Sequence, residues 1–285
     1  MMEAVRVQPF KILQSQRRTS AAVIAWQSGF EEVPATEIAD GRYVVRFARS
    51  AEEVDAALRL RFAVFNVELG EGFASSYLTG RDEDRFDATC HHLIVLEKET
   101  GAVVGTYRLQ TLEMANTASD FYCTGEFKTE ELPTRILCES LEIGRACVAR
   151  EHRHTRVLFL LWKGLAAYAT AERKRYLFGC CSLTSQDAAE GWKAWRLIGR
   201  DNFFHPKFYI APRPEYICEA ETVPAEDDKD AKWQLPKLFL TYLRFGAKVC
   251  SPPAIDREFK TIDFFVMFDF ETIDEKYRQI FFAKI

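Results

Sequence analysis

Four segments of the sequence carry charge where the apolar pattern of a sheet or its flanking helix predicts none. They hold Arg61, the acidic run 82–87, Arg108, and the pair Glu142 and Arg145. Arg108 stands between a tyrosine and a leucine, so its guanidinium is predicted to be buried away from water and to require a carboxylate partner. The available anions are Asp84, Asp87 and Glu142. The charge pattern alone fits both a salt-bridge network on one sheet face and an active site.

The spacing of Glu142 and Arg145 favours an active site over a salt-bridge network. In a regular strand the two side chains point to opposite faces, unless a bulge adds a residue between them, and Gly144 is where a bulge is predicted. A bulge leaves backbone N–H groups unpaired. Such an N–H can stabilise the oxyanion formed when an amine attacks a thioester, while a carboxylate takes the amine proton directly or through water. This arrangement needs no nucleophilic side chain, so we expect direct attack by a bound amine.

The elements that must position these residues alternate between strand and helix. Strand patterns lie at residues 42–48, 91–97, 102–111, 137–148, 176–183 and 262–270. Helical patterns lie at residues 54–65, 157–170, 187–198, 235–245 and 271–282. Segment 98–101 predicts a hairpin, which makes the strands on either side of it neighbours. The alternation predicts an α/β fold built on one sheet.

Composition restricts the class of protein. The chain has 285 residues, 48% of them apolar, which is enough for one large domain. A net charge of −4 gives no global field for nucleic acid. The eight cysteines show no CxxC spacing, which indicates free thiols in a reducing cytoplasm. No apolar run reaches the roughly 18 residues that span a membrane.

Residues 1–40 are predicted to be an N-terminal extension, and residues 41–285 the folded domain. The extension shows no sustained period and carries four basic residues before Gln27 against one acid. It could be a solvated arm, or it could contact the anionic inner face of a membrane peripherally. The C-terminal part of the domain, about residues 219–285, is predicted to be an extension specific to the family that the motifs described below resemble. It includes the acidic stretch 219–232, which predicts a loop.

Several motifs occur in a fixed order along most of the chain. They are LRLRFAVF at 58–65, CHHLIV at 90–95, VVGTYRL at 103–109, LEIGRACV at 141–148, LWKGL at 161–165, LFGCCS at 177–182 and LPKLFLTYLRFGAKVCSPPA at 235–254. Together they resemble the ornithine N-acyltransferases that make lyso-ornithine lipid. These belong to the long-chain N-acyl amino acid synthases, which are related to the acyl-homoserine-lactone autoinducer synthases. The resemblance implies the GNAT acetyltransferase fold, a mixed central sheet with a bulged central strand and flanking helices.

The resemblance also implies roles for the charged residues. The family's signature cluster corresponds to Arg61, Phe65, Asp84, Asp87, Arg108, Glu142 and Arg145. Glu142 would be the catalytic base, and Arg108 and Arg145 would order the carboxylates around it. Arg61, Phe65, Asp84 and Asp87 would serve substrate binding. The two aspartates would either help hold a cationic amino acid or fix the N-terminal half of the domain.

The implied acyl donor is a carrier protein. Acetyl-CoA enzymes of this fold usually carry a glycine-rich pyrophosphate loop, but the corresponding residues 149–156 contain no glycine. Residues 145–175 hold eight Lys or Arg and only two acids, which suits an acidic acyl carrier protein. We predict that Arg150, Arg153 and Arg156 contact it, although a solvated basic helix start explains the same charges. The protein itself would hold no cofactor, since phosphopantetheine arrives on the carrier.

The resulting hypothesis is transfer of a 3-hydroxyacyl chain from acyl carrier protein to the α-amino group of ornithine. Glycine, tyrosine, lysine or glutamine as acceptor, and coenzyme A as donor, remain alternatives. So does an autoinducer synthase that uses S-adenosylmethionine. A non-catalytic module that binds carrier protein or membrane is the alternative from another class. The histidines and Cys90 lack the paired spacing of zinc ligands, so no metal site is predicted.

Overall fold

The alternating segments form a mixed sheet flanked by helices. A computed structural model describes residues 33–115, 121–153, 155–219 and 234–282. The strands are β1 Glu37–Asp40, β2 Tyr43–Phe47, β3 His91–Glu97, β4 Val103–Thr111, β5 Ser140–Val148, β6 Tyr176–Leu183, β7 Lys248–Val249, β8 Ala254–Asp256 and β9 Thr261–Asp269. Within these ranges the sheet order is β1-β2-β3-β4-β5-β6-β9-β7, and β8 also pairs with β9.

Helices cover both faces of the sheet. They are α1 Ala51–Phe62, α2 Ser76–Thr79, α3 Leu112–Ala115, α4 Thr134–Cys138, α5 Thr155–Ala171, α6 Ala188–Arg200, α7 Lys237–Phe245 and α8 Glu275–Phe281. A π-helical segment, Ala63–Glu68, continues α1. Ser50 caps α1, because its hydroxyl accepts a hydrogen bond from the N–H of Glu53. No helix of the described ranges is long and apolar enough to cross a bilayer.

The main core lies between the sheet and the apolar helix α5. Trp162 of α5 stacks on Phe281 of α8, and Tyr107 and Leu109 of β4 belong to the same buried cluster. The opposite face of β3 and β4 carries α1, where Leu58 packs in a smaller buried cluster. Because side chains alternate along β4, Arg108 points to the α1 face. The fold therefore separates an apolar face from a face that carries the charged residues.

The strands β5 and β6 run parallel and then separate. Their pairing covers only Ser140–Glu142 opposite Tyr176–Phe178, although both strands continue further. Gly179 lies where they part, and a side chain there would collide with the carbonyl oxygen of Ile143. Beyond Ile143 the two strands are no longer paired, and this unpaired stretch between β5 and β6 in the middle of the sheet is called the gap.

A bulge interrupts the pairing of β4 with β5. Thr106 pairs with Cys147 and Arg108 with Gly144, so two residues of β5 stand opposite Tyr107 alone. The bulge therefore follows Gly144 instead of centring on it, and it does not lie between Glu142 and Arg145 as predicted. Arg145 itself takes the left-handed conformation, with φ of 51°. This turn brings its side chain to the face that carries Arg108.

The sheet extends beyond the predicted domain limits. Strand β1 begins at Glu37, inside the predicted extension 1–40, because Glu37–Asp40 pairs with β2. At the other end, β9 lies between β6 and β7 and is thus a central strand. Most of the predicted loop 219–232 and residues 1–32 of the extension lie outside the described residues.

Candidate active site

Glu142 lies at the point where β5 and β6 separate. Its side chain is buried, with the residue 5% exposed. Its carboxylate accepts hydrogen bonds from the backbone N–H groups of Tyr122, at 2.9 Å, and Cys123, at 2.7 Å. Burial raises the pKa of Glu142 above its usual range, although these two N–H groups act in the opposite direction. A carboxylate with a raised pKa is a better proton acceptor than an ordinary glutamate.

Arg108 binds two aspartates on the same face of the sheet. Its Nη1 lies 2.5 Å from Oδ1 of Asp84 and 3.1 Å from Oδ1 of Asp87. Asp84 caps a 3₁₀ turn, Arg85–Ala88, that contains Asp87; Asp84 accepts from the N–H of Phe86 and Asp87 accepts from the N–H of Asp84. This capping box holds both carboxylates by backbone hydrogen bonds in addition to their ion pairs with the arginines.

Arg61 and Arg145 complete the ion-pair cluster. Arg61 is almost fully buried, and its Nη1 lies 2.6 Å from Oδ1 of Asp87 while its Nε donates to Asp82 at 2.7 Å. Arg145 donates from Nη2 to Asp84 at 3.1 Å, and its Nε lies 3.3 Å from Asp82. Helix α1, the acidic run and the bulge of β5 are therefore joined through one set of charges.

The arginines keep the aspartates ionised. Burial alone would raise the pKa of Asp87, but Arg61 and Arg108 outweigh it and bring that pKa well below the usual range. Burial also raises the pKa of Asp84, whereas Arg108 and Arg145 lower it, and the net effect is a lowered pKa. The aspartates are thus poor proton acceptors, whereas Glu142, which accepts hydrogen bonds from backbone N–H groups, is a good one.

Phe65 borders the cluster through aromatic contacts. It is buried in the π-helical segment, and its ring meets the ring of Phe259 edge-on at 5.8 Å. The guanidinium of Arg145 lies 4.3 Å above Phe259 and 4.7 Å above Tyr122. Tyr122 thus touches both Arg145, by its ring, and Glu142, by its N–H. All seven residues of the predicted cluster lie in this region.

Two backbone contacts and one acidic group were missed by sequence reasoning. The N–H groups of Tyr122 and Cys123 have no signature in the sequence, because any residue supplies them. Glu126, Asp256 and Asp263 are buried, and each offers an oxygen within 4.8 Å of the others. Burial raises the pKa of Asp263 to about 6, although hydroxyl groups of Ser182 and Thr261 donate to it.

The three predicted carrier-binding arginines differ in their surroundings. Arg150 is exposed on the 3₁₀ turn Arg150–His152 that precedes α5. Arg153 forms a two-bond ion pair with Glu68, including Nη2 to Oε2 at 2.8 Å. Nε of Arg156 lies 3.6 Å from Asp40 of β1. Part of the positive charge of this surface is therefore neutralised within the protein.

Histidines near the cluster have partners within the fold. A ring nitrogen of His91 lies 2.9 Å from the hydroxyl of Tyr168, and one of His92 lies 3.0 Å from the carbonyl oxygen of Asp87. His152 contacts the hydroxyl of Tyr43 at 2.9 Å. His154 lies outside the described residues. These contacts give His91, His92 and His152 structural roles.

The chain is similar to several known proteins. Residues 60–163 match the acetyltransferase (GNAT) domain family. The chain is 32% identical over 246 residues to an L-ornithine N(alpha)-acyltransferase of Brucella abortus, covering 83% of this chain and 88% of that protein. It is 32% identical over 254 residues to one of Rhodobacter capsulatus, covering 85% and 96%. A solved structure of FeeM, an N-acyl amino acid synthase from uncultured soil microbes, gives a TM-score of 0.46 at 11% identity, covering 86% and 95%.

A mixed sheet with a bulged central strand, a GNAT domain match and curated N-acyltransferase relatives define an amide-forming acyltransferase of the GNAT fold. The predicted fold class is confirmed. Within that class, the extent of similarity to the curated relatives decides the family. The chain belongs to the L-ornithine N(alpha)-acyltransferase family.

Proposed function

We propose that this protein transfers a 3-hydroxy fatty acyl chain from acyl carrier protein to the α-amino group of L-ornithine, forming lyso-ornithine lipid. The observation that carries the proposal is the carboxylate of Glu142, which is buried beside the arginine–aspartate cluster where β5 and β6 separate. Membership of a family whose curated relatives are named for ornithine supports the choice of acceptor.

The reaction requires a base because the acceptor is an amine. A free α-amino group has a pKa near 8, so it is mostly protonated at neutral pH and must lose a proton before it can attack. This first proton can leave to solvent. Glu142 suits the removal of the second proton, which the nitrogen loses as it becomes an amide, since burial raises the pKa of Glu142 towards the working pH. The nitrogen then attacks the thioester carbonyl, the C–N bond forms and the C–S bond breaks. Glu142 receives the proton that the nitrogen loses once the C–N bond has formed, and a proton passes from Glu142 to the phosphopantetheine sulfur, which leaves as a thiol.

The gap between the strands supports binding of the thioester. Beyond Glu142, residues 143–148 of β5 have no partner in the β6 ladder of the described sheet. Their N–H groups that face the gap could donate to the carbonyl oxygen as it becomes an oxyanion. A phosphopantetheine arm is long and narrow, so a gap between two strands suits it better than a wide surface.

The other cluster residues would hold the site together. Oxygens of Asp84 and Asp87 already bind Arg108, Arg61 and Arg145. This occupancy favours a role in fixing the acidic run and α1 over the sheet, more than a direct role in binding the acceptor. We therefore assign Arg108 and Arg145 to positioning, with Arg61 and Phe65 forming the buried wall of the substrate site.

The location of the reaction follows from its substrates. Acyl carrier protein and ornithine are soluble, which fits a cytoplasmic enzyme, whereas the product is an amphiphile that must enter a bilayer. Peripheral contact of the basic N-terminal residues with the inner face of the membrane would ease that transfer. The phosphopantetheine would be the carrier's own, and no cofactor of this chain is required.

The decisive assay uses the purified protein with 3-hydroxypalmitoyl acyl carrier protein and L-ornithine, and it detects product by mass spectrometry. We expect an N-acylated ornithine from the native protein, and at least 100-fold lower kcat from Glu142→Gln, because Gln cannot accept the proton. Acylation of glycine, tyrosine, lysine or glutamine in its place would change the acceptor and keep the mechanism. A lactone from S-adenosylmethionine, or no product with any amine, would refute the proposal.

A further inference from the structure

Gln110 of β4 lies directly opposite Glu142 in the sheet. The register pairs the two residues across β4 and β5, which places their side chains on the same face and their Cβ atoms about 5 Å apart. Arg108, two residues earlier on β4, occupies the same face. Gln110 is therefore a neighbour of the proposed base, although no sequence pattern identifies it.

The side chain of Gln110 is buried without a partner for its oxygen. The residue is 3% exposed, and Oε1 has no hydrogen-bond partner within the structure. Leaving a buried amide oxygen unsatisfied costs stability, whereas an apolar side chain of the same shape would cost nothing of this kind. A buried polar atom that stabilises nothing in the free protein is suited to a ligand.

Chemistry defines what that ligand group must be. An amide oxygen accepts hydrogen bonds, so its partner has to be a donor. The reacting amine carries two N–H bonds once it has lost its first proton and is ready to attack. One of them is directed to Glu142, which leaves the other for a second acceptor on the same face of the sheet.

We infer that Gln110 binds the acceptor's reacting amine, its Oε1 accepting one N–H while Glu142 faces the other. This assignment rests on the proposed function and deepens it. Two acceptors on adjacent strands fix the direction of the nitrogen lone pair, which must point at the thioester carbonyl in the gap between β5 and β6. Gln110 thereby selects for a primary amine in a defined orientation.

The test is Gln110→Met, which keeps the length of the side chain and removes the amide. We expect the KM for L-ornithine to rise about tenfold, the cost of one hydrogen bond to the acceptor, with the KM for acyl carrier protein unchanged. The melting temperature of the free protein should stay equal or rise, because the substitution removes an unsatisfied oxygen. A residue with a merely structural role would give the opposite pair of results.

Thr111→Val is the matched control. Thr111 is the next residue of the same strand, is also buried and faces the other side of the sheet, where its hydroxyl accepts from the N–H of Met114. This variant should lower the melting temperature and leave the KM for ornithine unchanged. If the native enzyme acylates ornithine and the Gln110→Met variant has the same KM for ornithine as the native enzyme, the inference about Gln110 is wrong and the proposed function stands. A native enzyme that does not acylate ornithine overturns the proposed function as well.

Discussion

At the scale of single residues, the site separates two kinds of buried carboxylate. Asp84 and Asp87 face guanidinium groups, and Glu142 faces backbone N–H groups. Full positive charges lower the pKa of a buried acid more than partial charges can, so the aspartates stay ionised while Glu142 can take up a proton. The type of partner, more than the depth of burial, is our reason for proposing Glu142 as the base.

The pH dependence of activity should report this difference. Glu142 acts as a base only when ionised, so kcat at saturating ornithine should fall as the pH drops through its pKa, which burial raises. We expect the acidic limb of the profile to lie clearly above pH 4.3, the ordinary value for glutamate. The measurement is kcat at saturating ornithine from pH 4 to 9, because kcat/KM would also follow the ionisation of the free α-amino group. An acidic limb at or below that value would exclude Glu142 as the base.

Sequence reasoning identified the side chains of this cluster but not their pairing. Charged residues in apolar strands are visible in a sequence because burying them is costly. The partners of Glu142 are backbone groups of residues 122 and 123, which carry no such mark. The orphaned oxygen of Gln110 was hidden for a related reason, since glutamine in a strand is an unremarkable residue until its surroundings are known.

At the scale of elements, the gap after Glu142 depends on how β5 and β6 separate. Gly144 was the predicted position of the bulge, yet Arg145 takes the left-handed conformation. Glycine is the residue that usually takes a left-handed conformation, which is why the local pattern favoured Gly144. The ion pairs of Arg145 with Asp82 and Asp84 stabilise this conformation at Arg145, although it is unfavourable for arginine. Tertiary contacts of this kind cannot be inferred from neighbours in the chain.

Two glycines near the gap should respond differently to alanine. A Cβ at Gly179 would collide with a backbone oxygen of β5, which cannot rotate away, whereas a Cβ at Gly144 would meet nothing within 4 Å. We expect Gly179→Ala to lower the free energy of unfolding by about 1–3 kcal/mol and to impair activity. Gly144→Ala, the control, should change stability little. Urea denaturation measures both, and equal effects would contradict the role given to Gly179.

At the scale of the whole molecule, we expect charges distant from Glu142 to affect both stability and the proposed carrier binding. Glu126 and Asp263, which lie in a buried group with Asp256, resist ionisation, because burial raises the pKa of each and the neighbouring carboxylates raise it further. Its members come from the segment after Cys123, from β8 and from β9, so their charge opposes the closing of the fold.

Stability should therefore fall as the pH rises through this group. The pKa of Asp263 is about 6 in the folded state and about 4 in the unfolded chain, so the folded state holds a proton that the unfolded state has lost. Between pH 4 and 6 the free energy of unfolding of the native protein should fall by roughly 2 to 3 kcal/mol relative to that of Asp263→Asn. Urea denaturation at pH 4, 6 and 8 checks this. A constant difference between the two proteins would contradict it.

The basic surface before α5 can be tested by one charge reversal. Arg150 is exposed, whereas reversing Arg153 would also break its ion pair with Glu68. Arg150→Glu should raise the KM for acyl carrier protein several-fold, more at low salt, and leave the KM for ornithine unchanged. Arg244→Glu, at an exposed position of α7, is the control. Equal effects of the two variants would show that only net charge matters.

The order of strands and helices was predictable from the sequence, but the extent of the sheet was not. Periodicity identified β2 to β6 and β9 because each pattern is local. The position of β9 between β6 and β7 depends on pairing across a long stretch of chain, so residues 219–285 resembled an addition to the domain. Strand β1 was missed because four residues with one buried side chain give too little pattern.

The place of β9 has a consequence for synthesis on the ribosome. Strand β6 leaves the exit tunnel with one edge unpaired, and the strand that covers this edge is translated about 80 residues later, roughly 4 to 16 seconds at bacterial rates. During that interval the nascent chain presents the apolar edge Tyr176–Leu183 to any other chain nearby. Translation pauses between these two strands would lengthen the exposure, so the yield of folded enzyme should depend on chaperones that hold nascent chains.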